Sequence, residues 1–192
     1  MVLALRRVLL VLAIIMPAWS VARAAELDSV QVPDTQQVDG KTLQLNGFGL
    51  RTYSLLRFRI YVAALYLEHL NSDAKAILGS AETKLLSVTF LHSVDADAAR
   101  KSWRDGLENN CQPPCNLDPD DLATFLAEVP AMRTGENFSL LFTPAGAEVS
   151  VNGERIGTIS HPEFAAAMLA TFLGPKPASP LLKRELLAGT KR

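Results

Sequence analysis

The segment from Leu43 to Glu68, LQLNGFGLRTYSLLRFRIYVAALYLE, constrains the fold most, because it reads as two strands and sets an arginine where an apolar face should continue. Lys41 to Arg51 and Arg57 to Leu67 are the two strand-like runs, the second rich in aromatic and β-branched residues. Counting by twos from Leu43 gives Leu43, Leu45, Gly47, Gly49 and Arg51, so a register unbroken through the glycines turns Arg51 inward. A guanidinium keeps its charge when buried and needs an anion or several acceptors to offset its desolvation. The plainer reading is a strand-end arginine that reaches back to solvent. In the second run both faces are apolar through the middle, as expected of a central strand covered on both sides.

Ahead of this region lies a leader. Arg6 and Arg7 form a basic start, Val8 to Trp19 an apolar stretch broken only by Pro17, and Ala22-Arg23-Ala24 a small-x-small cleavage site. Residues 1–24 therefore read as a secretory signal peptide, with an apolar run too short to span a bilayer. The expected product is an exported protein, periplasmic or secreted, with no stable membrane anchor and one domain over residues 25–192. Without Arg6, Arg7 and Arg23 it carries 16 basic against 20 acidic groups, which offers no footprint for nucleic acid. Cys111 and Cys115, separated by Gln112-Pro113-Pro114, read as a local disulfide in an oxidising compartment. No further thiolate or imidazole is adjacent, so no metal site is expected.

After a polar lead-in and the two strands, a short helix is expected over 70–79, started by Asn71 or Ser72, and a strand over 84–92. Asp95 caps a helix to about Asn110, with Ala99, Trp103, Gly106 and Leu107 on one stripe. Asp118-Pro119 opens another, with Leu122, Phe125, Leu126 and Val129 inward. Strands follow over 137–143, 147–151 and 154–159, the last two joined by the hairpin dipeptide Asn152-Gly153. Ser160 and Pro162 start a helix ended by Gly174, and Ser179-Pro180 starts a last one. Strands, then helices, then a strand meander and helices again give an α+β class: one antiparallel sheet with helices packed on one face.

Leu45-Asn46-Gly47-Phe48-Gly49-Leu50-Arg51, followed by Arg59-Ile60-Tyr61-Val62-Ala63-Ala64-Leu65-Tyr66-Leu67-Glu68, resembles the chalcone isomerase-like superfamily, in particular its bacterial exported branch. The segment from Phe164 to Gly174 with Ser179-Pro180 and Leu181-Leu182-Lys183 is similar to that family's C-terminal end. The resemblance implies an open-faced β-sandwich with a ligand cleft between sheet and helices near the second and third strands. It also implies a cleft-facing arginine at Arg51. Where the family's enzymes carry threonine and its fatty-acid binders tyrosine, this chain has Tyr61. The tyrosine and asparagine that the enzymes place on a helix over the cleft match Trp103 and Asn110, so the asparagine is kept and the tyrosine is not.

An arginine beside a phenol suits a carboxylate, through charge-assisted hydrogen bonds from the guanidinium and one from the hydroxyl, with apolar walls for a tail. The expectation is a non-catalytic protein that binds a small hydrophobic carboxylate such as a fatty acid through Arg51, Tyr61, Trp103 and Asn110, without a cofactor. One alternative is an isomerase, an intramolecular lyase on a planar phenolic substrate, with Arg51 stabilising enolate charge and Asn110 orienting the substrate. Another is a haem or tetrapyrrole carrier, with Arg51 on a propionate and His69, His92 or His161 on iron. Tyr61, Trp103 and Asn110 also have ordinary readings: a sheet tyrosine, a core residue and a helix end.

Overall fold

The computed structural model describes residues 24–53, 58–111, 115 and 117–189; the leader up to residue 23 lies outside them. Seven strands run in chain order across one antiparallel sheet: β3 (Thr35–Val38), β4 (Lys41–Tyr53), β5 (Phe58–Leu67), β6 (Lys84–Phe90), β7 (Asn137–Thr143), β8 (Gly146–Val151) and β9 (Glu154–Ile159). A separate hairpin, β1 (Ala24–Leu27) with β2 (Val30–Pro33), precedes it. The polar lead-in of the sequence thus forms three strands. Their signals are turn residues: Asp28-Ser29 and Asp39-Gly40 adopt positive φ in two-residue turns that join Leu27 to Val30 and Val38 to Lys41, as Asn152-Gly153 does between β8 and β9.

The helices are α1 (Ala74–Gly79), α2 (Ala96–Asn110), α3 (Pro119–Glu128), α4 (Pro162–Leu173) and α5 (Pro180–Leu187). Three starts follow from their caps: Asp95 accepts from Ala98 N at 2.8 Å, Asp118 from Asp120 N at 2.8 Å, and Ser179 Oγ from Leu182 N at 3.2 Å. Two differ from expectation. Asp73, not Asn71 or Ser72, caps α1, while Asn71 Oδ1 accepts from Asp73 N at 2.8 Å. His161, not Ser160, stands at the start of α4, without a side-chain cap bond, and Pro162 in the first turn removes one of the orphan donors.

Helices cover one face of the sheet, and the β1–β2 hairpin covers part of the other. On the helix face, Leu65, Leu86, Leu140 and Val149 face each other across four strands beneath α4, whose Phe164, Met168, Leu169 and Leu173 are buried. Burying such a side chain contributes about 1.5–3 kcal/mol, so this row carries much of the fold. On the other face, Val62, Ala64 and Tyr66 of β5 meet Leu43, Leu45 and Val32, with the β1–β2 hairpin lying over them. Strand β5 is therefore central and apolar on both sides, as its sequence requires. Cys111 and Cys115 form a disulfide at the end of α2, their Cα atoms 5.1 Å apart.

Candidate functional site

Arg51 faces the helices, but not by the unbroken count. Leu45 pairs with Tyr66 and Gly47 with Leu65, so Asn46 is an extra residue on β4, a bulge that reverses the alternation. Leu43 and Leu45 consequently lie on the hairpin side with Phe48 and Leu50, whereas Gly47, Gly49 and Arg51 lie on the helix side. Asn46 is 1% exposed, and both ends of its side chain are bonded: Nδ2 donates to Leu186 O at 2.9 Å and Oδ1 accepts from Asn71 N at 2.8 Å.

The glycines let α5 lie directly on the strand. A Cβ at Gly47 would stand 2.3 Å from Glu185 O, and one at Gly49 would stand 2.0 Å from Glu185 Oε2. Beyond the end of short β3, α5 also covers the bare edge of β4, with Glu185 Oε2 accepting from Leu50 N at 3.1 Å.

Two residues past Gly49, Arg51 is the direct cross-strand partner of Tyr61. Both are half-buried. Burial pushes the Tyr61 phenol up to about 12, and the nearby Arg51 charge only partly offsets it. The tyrosine ring stands edge-on to Phe90, centroids 5.6 Å apart. Among the described residues no carboxylate forms an ion pair with Arg51. A second irregularity in the ladder between Arg51 and Thr52 keeps the pair Tyr53 and Phe58 on the same side, where they are 66% and 51% exposed. The end of the β4–β5 ladder thus presents a cation and a neutral phenol next to uncovered aromatic surface.

Trp103 and Asn110 are engaged within the helical layer instead, and neither has a described contact with Arg51 or Tyr61. Trp103 packs edge-on to Phe125 and Phe172, at 5.4 and 6.0 Å, and tilted against Phe138 at 6.0 Å. Asn110 spends both amide hydrogens on the carbonyls of Gly106 and Lys176, at 2.9 and 2.8 Å, and its Oδ1 accepts from Lys176 N at 3.1 Å. It clamps the end of α2 to the loop after α4, which removes the free amide that orienting a substrate would require. A helical stripe in sequence looks the same for either role.

The histidines are dispersed. His69 meets Glu82 at 2.9 Å, His161 meets Asp121 at 3.3 Å, and His92 is exposed. Among the described residues no group of three or more metal-ligating side chains comes together.

A family model described as chalcone isomerase-like matches residues 24–188. The chain belongs to the chalcone isomerase-like family. Its fold is shared with the fatty-acid binding protein AtFAP1 of Arabidopsis thaliana, at a TM-score of 0.71 and 14% identity, over 86% of this chain and 95% of that one. The search of curated proteins finds no match. Within this chalcone isomerase-like chain, the space between sheet and helices is occupied by Trp103, Phe125, Phe138, Phe164 and Phe172, and a hollow beside Phe125 and Val149 has a volume of about 10 Å³, one water's worth. A cavity of about 280 Å³ lies on the opposite face, between the β1–β2 hairpin and the sheet. No described helix is long and apolar enough to cross a membrane.

Proposed function

We propose that this protein is exported and binds a hydrophobic carboxylate, a fatty acid or close analogue, with Arg51 and Tyr61 holding the head group. The observation that carries the reading is the Arg51–Tyr61 cross-strand pair: a half-buried guanidinium with no ion-pair partner among the described residues, opposed to a neutral phenol. A carboxylate placed there receives charged hydrogen bonds from one side and a neutral one from the other. Tyr53 and Phe58, exposed on the same side of the ladder, supply apolar surface for the start of a tail. AtFAP1, whose solved structure shares this fold, is a fatty-acid binding protein, which supports the same ligand class.

Calorimetric titration with laurate tests the reading. Arg51→Ala weakens binding about tenfold or more, since hydrogen bonds to charged groups contribute about 1.5–3 kcal/mol, and Tyr61→Phe weakens it less. Unchanged affinity in Arg51→Ala, or dodecanol binding as tightly as laurate, overturns it.

A further inference from the structure

The cavity on the hairpin side of the sheet is chemically unlike the Arg51–Tyr61 pair. Its volume is about 280 Å³, and none of its lining residues carries a full charge at neutral pH. The two places are back to back on β5, because Tyr61 faces the helices while Val62, Ala64 and Tyr66 alternate toward the hairpin. One wall is mixed: Val32 and Val62 are buried on either side with Val30 and Pro33 over them, and Gln31 and Gln36, the latter bonded to the Tyr66 hydroxyl, add polar groups.

The other wall is a prepared set of hydrogen-bonding groups. Asn137 Nδ2 donates to Ser87 Oγ at 2.9 Å and to Thr89 Oγ1 at 3.2 Å, with Val88 O at 3.3 Å sharing the same amide. Each hydroxyl oxygen thereby has its donor, and its own hydrogen is left to donate elsewhere. Among the described residues no donor meets Asn137 Oδ1. The wall consequently offers two hydroxyl hydrogens and one amide oxygen to whatever enters. An alcohol or phenol oxygen answers both needs, since it accepts and donates at once, whereas a carbonyl only accepts. A carboxylate or an ammonium would be desolvated there without a counter-charge, since no lining residue carries one.

We infer that this cavity is a second binding site, for a small neutral molecule with an apolar ring or short chain and a hydroxyl group set against Ser87, Thr89 and Asn137. Three probes of one shape and different charge test it: p-methoxybenzyl alcohol, p-methoxybenzoate and p-methoxybenzylamine, followed by amide chemical shifts of the full protein. The alcohol is expected to bind, moving the amides of Val32, Ala64 and Thr89, and the charged probes to bind at least about tenfold more weakly. Thr89→Val, which keeps shape and loses the hydroxyl, is expected to weaken the alcohol about threefold to tenfold. Ala64→Leu, which grows into the space, is expected to abolish its binding. Equal binding of either charged probe, shift changes centred on Arg51 and Phe90, no shift changes up to the solubility limit, or full affinity in a folded Thr89→Val protein would each overturn the inference.

Discussion

Leu45 and Gly47, two residues apart on one strand, face opposite sides of the sheet, because Leu45 pairs with Tyr66 while Gly47 pairs with the neighbouring Leu65. The residue between them absorbs the extra step. Asn46 holds the bulge by bonding Leu186 O and Asn71 N, which ties β4 at once to α5 and to the start of the α1 segment. Everything beyond it on β4, Arg51 included, has its face set by this one extra residue.

Asn46→Ala leaves the Leu186 carbonyl and the Asn71 N–H without their partner in a site that is 1% exposed. The stranded Leu186 carbonyl costs about 1–3 kcal/mol, while the N–H of the exposed Asn71 turns to water, so the variant is expected to lose about 1–3 kcal/mol in urea unfolding. A loss within about 0.5 kcal/mol, the usual range of a surface substitution, would show that the bulge is held by other contacts.

Gly49→Ala places a Cβ 2.0 Å from Glu185 Oε2 and 2.6 Å from its Cβ, so α5 has to shift. Overpacking of this kind costs about 1–3 kcal/mol. Glu185→Ala removes the Oε2 that accepts from Leu50 N but also much of the collision, so the double variant is expected to be more stable than the two single losses predict when added. Additivity in the thermal midpoints would mean that the close approach is relieved elsewhere.

How much of this was legible in the chain depended on whether the signal was local. Asp95, Asp118-Pro119, Ser179-Pro180 and Asn152-Gly153 act through their own backbone, and each marks the element edge the sequence indicates. The β1–β2 hairpin and β3 escaped because Thr35–Val38, TQQV, shows no apolar alternation, although Asp39-Gly40 was a turn signal in plain view. An unbroken count places Arg51 on the same face as Leu43 and Leu45; the bulge at Asn46 cancels that count, and the arginine reaches the helix side because it follows the bulge with Gly47 and Gly49. Trp103 and Asn110 sit on a helix stripe whose spacing serves packing as well as ligand contact, and only the partners on α3, α4 and the loop after α4 distinguish the two. The hairpin-side cavity depends on how β1–β2 lies over β5 and β6, which no local pattern encodes.

Glu68 gives the fold an acid-sensitive contact. Its carboxylate accepts from Lys41 Nζ and from Thr83 N, both at 2.6 Å, and these bonds hold it at about 2, below the ordinary 4.5. A depressed carboxylate favours the folded chain above the unfolded value and loses that contribution as pH falls from about 4.5 toward 2. Wild type is therefore expected to be more stable than Glu68→Gln near neutrality, with the difference in thermal midpoint shrinking across that window. A difference independent of pH would assign the effect to geometry alone.

Tyr61 behaves in the opposite sense at the alkaline end. The phenol is an acid whose charged form is disfavoured by burial, so its value rises from 10.0 to about 12 in the folded protein, with Arg51 pulling the other way. The unfolded chain then ionises first, and the stability that depends on the neutral phenol is present below about 10 and lost as pH climbs toward 12. Urea midpoints measured from pH ~9 to ~11.5 are expected to fall more steeply for wild type than for Tyr61→Phe, which has no proton to lose there. In Arg51→Ala the partial compensation disappears, so Tyr61 should titrate still later and the alkaline fall should steepen. Since a head-group carboxylate at this pair would further disfavour the phenolate, bound laurate is expected to deepen the same trend in wild type and to leave Tyr61→Phe unaffected. Identical alkaline slopes in wild type and Tyr61→Phe would mean that the hydroxyl is open to water, and would count against the desolvated pair that the head-group reading uses.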